Sequence, residues 1–521
     1  MRLTRPGSLS NARKISLVML AAFLAASLGC VVGPRYSRAP VPTPPAYKEI
    51  PPGWETAQPS DQITRGKWWE IFHDSQLNAL EEKVNVSNQD LKAAQAAFIQ
   101  AREQVRYNRA GYYPSVTVGA SAARVRQSEN RPLKGASTAK DYTDLVLPVD
   151  ASYEADVWGR VRRSVEASRE NAQASAADLE TVNLSLHAEL ALDYFELRSL
   201  DAESKLLDST VDALEKALQL TQNRYRGGIA SAVDVAQAQT ELETTRAQAI
   251  DLHVQRAENE HAIATLIGEP ASTFSLASSP TLEVPPVIPP GIPSQLLQRR
   301  PDIAAAERRM AAANAQIGIA KTAYYPLLNL TGSAGFEGST ITNWFSGPSI
   351  LASAGASAVA TVFEGGRRRS LTNQAQAAYG QAVANYRQTV LSAFQEVEDN
   401  LAALRILEAE AKTQNAAVAA AEHSLQLSTN RYKGGVSNYL EVITAQNTAL
   451  SDQRVSVDIL RRRNAAAVLL IKALGGGWNA SQLPTNFRKL LLIVLQRQRC
   501  SAGSQLKSSI SDWKDGGQGR S

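Results

Sequence analysis

The sequence predicts a mainly α-helical protein with a minority of β-strands, built from two internal repeats that each contain a long antiparallel coiled-coil hairpin. The stretch "NRYRGGIASAVDVAQAQ" at 223–239 returns as "NRYKGGVSNYLEVITAQ" at 430–446. The motif Tyr-Tyr-Pro occurs at both 112–114 and 324–326. No proline interrupts residues 158–223, which is typical of one very long helix. Together these observations indicate one supersecondary unit that is used twice.

Composition and charge are those of an ordinary folded protein. The chain has 521 residues, of which 44% are hydrophobic and 20% charged. The formal net charge is +5, but residues 1–30 carry +4 and residues 479–521 carry +5, which leaves −4 for the part between them. Because the basic excess lies at the two ends, we expect no nucleic-acid partner.

The N-terminus, residues 1–29, is predicted to be a signal peptide. Arg13 and Lys14 precede the apolar run "ISLVMLAAFLAASLG", which is too short to span a bilayer comfortably and ends just before Cys30. A genuine membrane anchor is the alternative. The chain has only two cysteines, Cys30 and Cys500, so a disulfide framework is excluded.

The remaining chain divides into five segments. They are an N-terminal tether and equatorial segment at 30–87, repeat 1 at 88–277, a proline-rich linker at 278–299, repeat 2 at 300–478 and an atypical basic tail at 479–521. The stretch "VVGPRYSRAPVPTPPAYKEIPP" after Cys30 is expected to be extended, a tether and not a core. The tail is expected to be disordered or to result from an altered reading frame.

Each repeat has the same predicted order of elements. A helix of about 25 residues ends at Tyr-Tyr-Pro, because proline cannot continue a helix. Two strands follow, "PSVTVGASA" with "LPVDASYEADVW" in repeat 1 and "PLLNLTGSAGF" with "LASAGASAVATVF" in repeat 2. A helix of about 65 residues, on the order of 100 Å long, comes next. Return helices are predicted at 232–267 and 439–474.

Heptad spacing along the long helices predicts coiled-coil packing. The seam residues are Leu207, Val211, Leu214, Leu218 and Tyr225 in repeat 1, with Thr221 in the gap, and Leu404, Leu407, Ala411, Val418, Ala421 and Leu425 in repeat 2. The two glycine pairs are then the tips of the hairpins. Each repeat would form half of a tube wall, with strands at one end and glycine tips at the other.

No pattern indicates an enzyme, a cofactor or a metal site. The five histidines are scattered, and Glu258 with His261 is one Glu-x-x-His pair where a di-iron bundle needs two. "FEGGRRRS" at 363–370 lacks the Lys-Ser/Thr of a phosphate-binding loop. Because the sequence offers no energy source for transport, a transport function would be passive.

An ordered set of motifs resembles the TolC-like outer-membrane efflux family. They are "WWEIFHDSQLNAL" at 68–80, "GIPSQLLQRRPDIAAAE" at 291–307, the two Tyr-Tyr-Pro turns and the two "NRY(R/K)GG" tips. "SLGC" at 27–30 resembles a bacterial lipobox. With "GPRY" at 33–36, it resembles the lipoprotein branch of the family, the NodT-type outer-membrane factors. The resemblance covers about residues 30–478.

The resemblance implies a trimeric duct. Four strands from each chain of a homotrimer would close a twelve-stranded β-barrel in the outer membrane, and twelve helices would form a periplasmic α-barrel. The implied function is a passive export channel that conducts drugs or other small molecules from the periplasm to the exterior. The implied partners are a periplasmic adaptor (membrane fusion) protein, an inner-membrane efflux transporter of RND type and outer-membrane lipid.

The resemblance also assigns site residues. Cys30 would carry the lipid. The periplasmic gate would consist of Asp234, Tyr432, Leu440 and Glu441. The residues expected to contact the adaptor are Arg224, Gly227, Gly228, Arg431, Gly434 and Gly435. The alternative is structural: Tyr225 and Tyr432 would only pack the hairpin ends, and Asp234 would only begin a helix, a position that favours carboxylates.

Two other functions stay open from the sequence. One is the outlet of a type I secretion system, which passes a protein in place of small molecules. The other is a periplasmic coiled-coil scaffold without a pore. Paired strands in both repeats favour the pore, because a scaffold needs no strands.

Overall fold

The computed structural model describes residues 31–50, 67–126, 128, 141–289 and 293–484, so the signal peptide, Cys30 and residues 485–521 of the tail lie outside the described residues. A 3₁₀ turn at Trp68–Phe72 precedes the first helix. The helices are α1 (Ser75–Ser87), α2 (Gln89–Ala110), α3 (Arg160–Arg226), α4 (Ala232–Leu266), α5 (Pro293–Arg299), α6 (Pro301–Thr322), α7 (Arg367–Lys433) and α8 (Tyr439–Ala473). The strands are β1 (Ser115–Val118), β2 (Ser121–Arg126), β3 (Asp141–Glu154), β4 (Leu327–Gly338) and β5 (Ile350–Val359).

The two repeats have helices of equal length. α2 and α6 each have 22 residues, α3 and α7 each have 67, and α4 and α8 each have 35. At 1.5 Å per residue a helix of this kind is about 100 Å long, as the proline-free runs predicted. The mainly helical fold with two repeats and long helical hairpins is therefore confirmed.

The described residues form two compact units, and each unit takes segments from both repeats. The first contains residues 31–39, 99–174 and 306–386, and the second contains residues 40–98, 175–305 and 387–484. The strands belong to the first unit, and the two hairpin tips belong to the second.

The strands form one antiparallel sheet in the order β1-β3-β4-β5, with β2 also paired to β3. In repeat 1 the predicted first strand is divided into β1 and β2, although both keep the same register on β3. The break lies opposite Pro148, which has no N–H to donate across the ladder. On the other side of β3, Gly335 faces Pro148, and a Cβ at 335 would lie 2.1 Å from the Leu147 carbonyl oxygen.

The second unit is built around a large apolar core. Trp68 and Trp69 are 2% exposed and pack with apolar residues of α1, α3, α4, α7 and α8. Among the described residues, no helix combines the length and apolar character needed to cross a bilayer.

Six of the twelve predicted seam positions of the long helices are buried: Leu207, Leu214, Thr221, Leu404, Leu407 and Ala421. Five more are half-buried: Val211, Leu218, Ala411, Val418 and Leu425. Tyr225 was predicted to continue the seam but is 51% exposed. It lies where α3 runs into the tip turn, and the described residues leave about half of its surface uncovered.

The proline-rich segments pack more closely than a tether or linker requires. Tyr47 is 5% exposed and belongs to the core of the second unit, and the Lys48 and Glu49 amides donate to the Glu398 carboxylate. In 278–299, Ile288 is 1% exposed. Extended backbone leaves its amide groups unpaired, and these side-chain acceptors satisfy some of them.

The described start of the predicted tail is also packed. Ala480 and Leu483 lie against Trp478, Ala304 and Ala305. The segment 479–484 therefore adds to the core after α8, and the expectation of disorder applies to the part outside the described residues.

Candidate functional site: the two hairpin tips

Both hairpin tips reverse the chain through a glycine in the left-handed region. Gly228 has φ +73° and Gly435 has φ +77°. The Ile229 amide donates to the Arg224 carbonyl at 2.8 Å, and the Val436 amide donates to the Arg431 carbonyl at 3.0 Å. These six-to-one hydrogen bonds close the C-terminal ends of α3 and α7 in the same way. We call the α3–α4 tip hairpin 1 and the α7–α8 tip hairpin 2.

The return helices begin with side-chain caps. In hairpin 1, the Asp234 carboxylate accepts from the Ser231 amide at 2.8 Å, and the Asp234 amide donates to the Ser231 hydroxyl at 3.2 Å. This is a capping box. In hairpin 2, the Glu441 amide donates to the Asn438 side chain at 3.2 Å. Both acids of the predicted gate thus lie in a first helical turn, where the helix dipole favours a negative charge.

Tyr432 is the buried centre of the site. It is 4% exposed, its hydroxyl donates to the Thr221 hydroxyl at 3.2 Å, and its ring centroid lies 5.2 Å from that of Tyr439. The Arg224 guanidinium lies over the ring at 4.5 Å and donates to the Tyr432 carbonyl at 2.5 Å. Hairpin 1 therefore holds hairpin 2 through a cation–π contact and a charge-assisted hydrogen bond.

Leu440 and Glu441 lie at an open groove on hairpin 2. Leu440 is 52% exposed. The groove has a volume of about 440 Å³ and is lined by Ala421, Ser424, Ser428, Asn438, Leu440, Glu441, Thr444, Ala445 and Thr448. Arg431 lies 3.9 Å from the Glu441 carboxylate, with both side chains largely in solvent. An exposed pair at this distance contributes little stability.

The residues predicted to contact an adaptor do not form one uniform surface. A Cβ built on Gly228 meets no atom within 4 Å, so this point of hairpin 1 is open. Arg431 keeps 57% of its side-chain surface. Arg224, at the same position in repeat 1, is partly buried and bonded within the chain. Gly227 and Gly434 lie in the turns themselves, and a Cβ built on Gly435 would lie 3.7 Å from the Arg224 guanidinium.

Sequence reasoning missed two members of the site. Thr221 appeared only as a gap in the seam, yet it is fully buried and accepts from Tyr432. Tyr439 is 2% exposed and begins α8, where repeat 1 has Ala232. An aromatic residue at the first helical position after a glycine turn was the signal that could have identified it.

A buried carboxyl–imidazole pair was also missed, away from the tip turns. His187 Nδ1 lies 2.5 Å from Glu81 Oε2, the two side chains are almost fully buried, and Trp69 stacks on the imidazole at 4.4 Å. Burial raises the pKa of the Glu81 carboxyl well above its ordinary value, and the Glu82 charge adds to this effect. Burial lowers the pKa of His187 to about 4. Both shifts favour the neutral form of the pair, with the proton on the carboxyl group.

This pair predicts a particular pH dependence of stability. The folded Glu81 carboxyl binds its proton more tightly than the unfolded one, so stability falls as pH rises toward its raised pKa. The folded His187 imidazole binds a proton less tightly than the unfolded one, so this second group lowers stability as pH falls from about 6.5 toward its folded pKa of about 4.

The variant Glu81→Gln removes the ionisable carboxyl group of the pair and leaves His187 in place. Without the carboxyl group, stability should fall less than in the wild type as pH rises, and should fall more than in the wild type below about pH 6.5 as unfolded His187 ionises. We would measure the apparent unfolding temperature of both purified proteins from pH 4.5 to 8, with the exposed Glu103→Gln as control. Parallel profiles for wild type and Glu81→Gln would contradict the assignment of the proton.

In the part of the chain that the structure describes, no three His, Cys, Asp or Glu side chains are grouped so that they could hold an ion.

Comparison with known proteins identifies the family. The chain matches the family model described as "Outer membrane efflux protein" over residues 80–269 and 292–476. It is 31% identical over 446 residues to the pyoverdine export outer membrane protein OpmQ of Pseudomonas putida, covering 84% of this chain and 94% of that protein. It is 31% identical over 472 residues to the outer membrane protein OprJ of Pseudomonas aeruginosa, covering 90% of this chain and 97% of that protein.

The fold is shared with solved outer-membrane channels. The outer-membrane channel OprN superposes with a TM-score of 0.78 at 29% identity, covering 86% of this chain and 100% of that chain. The family model covers both hairpins, and these matches confirm the resemblance seen in the sequence motifs. The chain therefore belongs to the outer membrane efflux protein family, whose members are outer-membrane export channels and not enzymes.

Proposed function

We propose that the chain is the passive outer-membrane exit duct of a tripartite efflux pump and that it works as a homotrimer. The observation that carries the proposal is the efflux-family match across both repeats, at 80–269 and 292–476. One relative is named for the export of pyoverdine, which supports a small-molecule cargo for this chain as well. The duct would pass drugs or similar small molecules from the periplasm to the exterior.

The strands supply the surface for the outer membrane. Several of their apolar side chains are exposed: Val116, Val118, Val149, Leu327, Ile350 and Val359, each at 43% or more. Exposed apolar area of this kind marks contact with lipid or with another chain. We place the sheet of the first unit in the outer membrane on this basis.

The hairpin tips would form the periplasmic gate. Leu440 is more than half exposed, so its apolar side chain is available for contact with symmetry-related copies. Three copies around a threefold axis would make an apolar constriction that disfavours water and ions. Asp234 and Glu441 would lie close to it. Tyr432 would act from inside the tip, because it is buried under Arg224.

A periplasmic adaptor protein is the proposed partner at the tips, and an inner-membrane transporter of RND type would supply the energy. The open space around Gly228 supports docking there, since no atom of the described residues lies within 4 Å of a Cβ at this position. Gly227, Gly434, Gly435 and Arg431 would share that surface. Arg224 would contribute less, because its guanidinium is already bonded to Tyr432.

A lipid on Cys30 would anchor the mature chain. The proposal rests on "SLGC" at 27–30 and lies outside the described residues. Closure of a β-barrel does not depend on such an anchor, so the sheet should insert without it.

Radiolabelled palmitate should enter the wild-type chain, and Cys30→Ser should lose all of that label because no other thiol lies near the predicted cleavage site. Cys500→Ser is the matched control and should keep the label. Label in Cys30→Ser, or in neither protein, would refute the lipid anchor, and export should change little in either variant.

The duct itself is tested by reconstitution of the purified full-length chain in planar bilayers. We expect discrete channel openings of small conductance, because the tips hold the gate closed at rest. A protein that is trimeric in detergent yet produces no channels over many insertions would favour the scaffold without a pore.

A further inference from the structure

Within one chain, hairpin 1 carries a groove that hairpin 2 fills. Leu214 is 3% exposed, and Thr221 and Ala238 are fully buried. Tyr432 and Tyr439 of hairpin 2 pack with Ala238 and Ala217 of this groove, and the Tyr432 hydroxyl donates to Thr221.

The same groove exists on hairpin 2 and is open. With the 207-residue offset between the tips, the positions equivalent to Leu214, Thr221 and Ala238 are Ala421, Ser428 and Ala445. All three line the open groove of about 440 Å³ described above. Within one chain, the groove is therefore filled on hairpin 1 and open on hairpin 2.

The side chain that would fill the second groove is also present and uncovered. Tyr225 is equivalent to Tyr432, yet it is 51% exposed where Tyr432 is 4% exposed. Tyr225 on hairpin 1 and the open groove on hairpin 2 do not meet within one chain. There, hairpin 1 contacts hairpin 2 through its own groove, which is filled by Tyr432.

The polar residues that hold Tyr432 in the groove of hairpin 1 have chemically similar equivalents on hairpin 2. Thr221 accepts from the Tyr432 hydroxyl, and its equivalent, Ser428, also has a hydroxyl group. Arg224 lies over the Tyr432 ring, and its equivalent, Arg431, keeps 57% of its side-chain surface free.

We infer that the groove on hairpin 2 binds Tyr225 from a second copy of this chain. The Tyr225 hydroxyl donates to Ser428, and the Arg431 guanidinium lies over the Tyr225 ring and bonds its carbonyl. This inference rests on the homotrimer of the proposed function and adds the residues that join its copies at the tips. A head-to-tail contact of this kind closes into a ring when the rotation between copies divides a full turn.

The two contacts differ in one respect. Hairpin 2 places two aromatic rings, Tyr432 and Tyr439, on hairpin 1, whereas Tyr439 is replaced by Ala232 in hairpin 1. The contact between copies therefore has one ring fewer than the contact within a copy, and it is the weaker of the two.

Cysteine crosslinking in the full-length chain tests the contact. In a Cys500→Ser background, Tyr225→Cys with Ser428→Cys should react with a short bifunctional thiol reagent and yield dimers and trimers on a denaturing gel. Thr221→Cys with Tyr432→Cys is the matched pair within one copy, and it should lose its free thiols while staying at monomer mass. Each single variant should stay monomeric.

A second pair, Tyr225→Cys with Arg431→Cys, reports the same contact without changing Ser428, and it should give the same products. The inference is overturned if three results occur together: the protein is a trimer by native mass, the control pair reacts, and neither test pair links two copies. The proposed duct would not be affected by that outcome. Capture of another protein in place of a second copy overturns it as well. A monomer by native mass would instead refute the homotrimer itself.

Discussion

Gly228→Asn should abolish efflux while leaving the protein folded and in the outer membrane. Gly228 has φ +73°, a conformation that asparagine tolerates better than other residues with side chains. A Cβ at this position meets no atom within 4 Å, so the new side chain disturbs nothing in its own chain. It projects into the space proposed for the adaptor, and the pump can no longer engage the duct.

Dye efflux from energised cells measures this effect, and the variant should export no faster than cells that lack the protein. Gly365→Asn is the matched control, since Gly365 also has a positive φ, +58°, and open space around it but lies before the start of α7. Wild-type export by Gly228→Asn would refute docking at this tip. Loss of export in both variants would mean that any substitution of a positive-φ glycine impairs the protein, and would not support docking at this tip.

Leu440→Ser should raise the resting conductance of reconstituted trimers several-fold. The substitution replaces an apolar side chain by a hydroxyl group at the proposed constriction, and water and ions then enter more easily. Leu440 is 52% exposed, so the exchange removes little packing within the chain and the fold should persist.

Leu427→Ser is the control, because Leu427 has the same residue type and a similar exposure, 51%, on α7 of the same hairpin. It should conduct like the wild type in planar bilayers. Asp234→Ala should have a smaller effect than Leu440→Ser, since it leaves the proposed apolar ring of Leu440 in place. Equal small conductances in Leu440→Ser and wild type would place the constriction elsewhere.

Much of the fold was predictable because its signals are local. Proline ends the first helix of each repeat, the proline-free runs predict the long helices, and glycine pairs mark both tips. The return helices begin at Ala232 and Tyr439, as predicted, and end one residue early. Each start is fixed by a cap within three residues, which the sequence displays directly.

The features that could not be predicted depend on which elements become neighbours. Tyr225 and Tyr432 have nearly identical sequence contexts, and only the placement of one hairpin on the other buries the second and exposes the first. Arg224 and Arg431 differ for the same reason. The Glu81–His187 pair joins residues 106 positions apart and follows no motif. The division between β1 and β2 arises from Pro148 on another strand.

If this chain is the exit duct of an efflux pump, native cells should lose export without it. We would delete the gene, load the cells with a fluorescent dye and follow its export after energisation, with the wild-type chain and Gly365→Asn returned separately. Deletion should reduce export to the passive rate, and both returned proteins should restore it. Unchanged export after deletion, in a host with no other member of the family, would refute the duct.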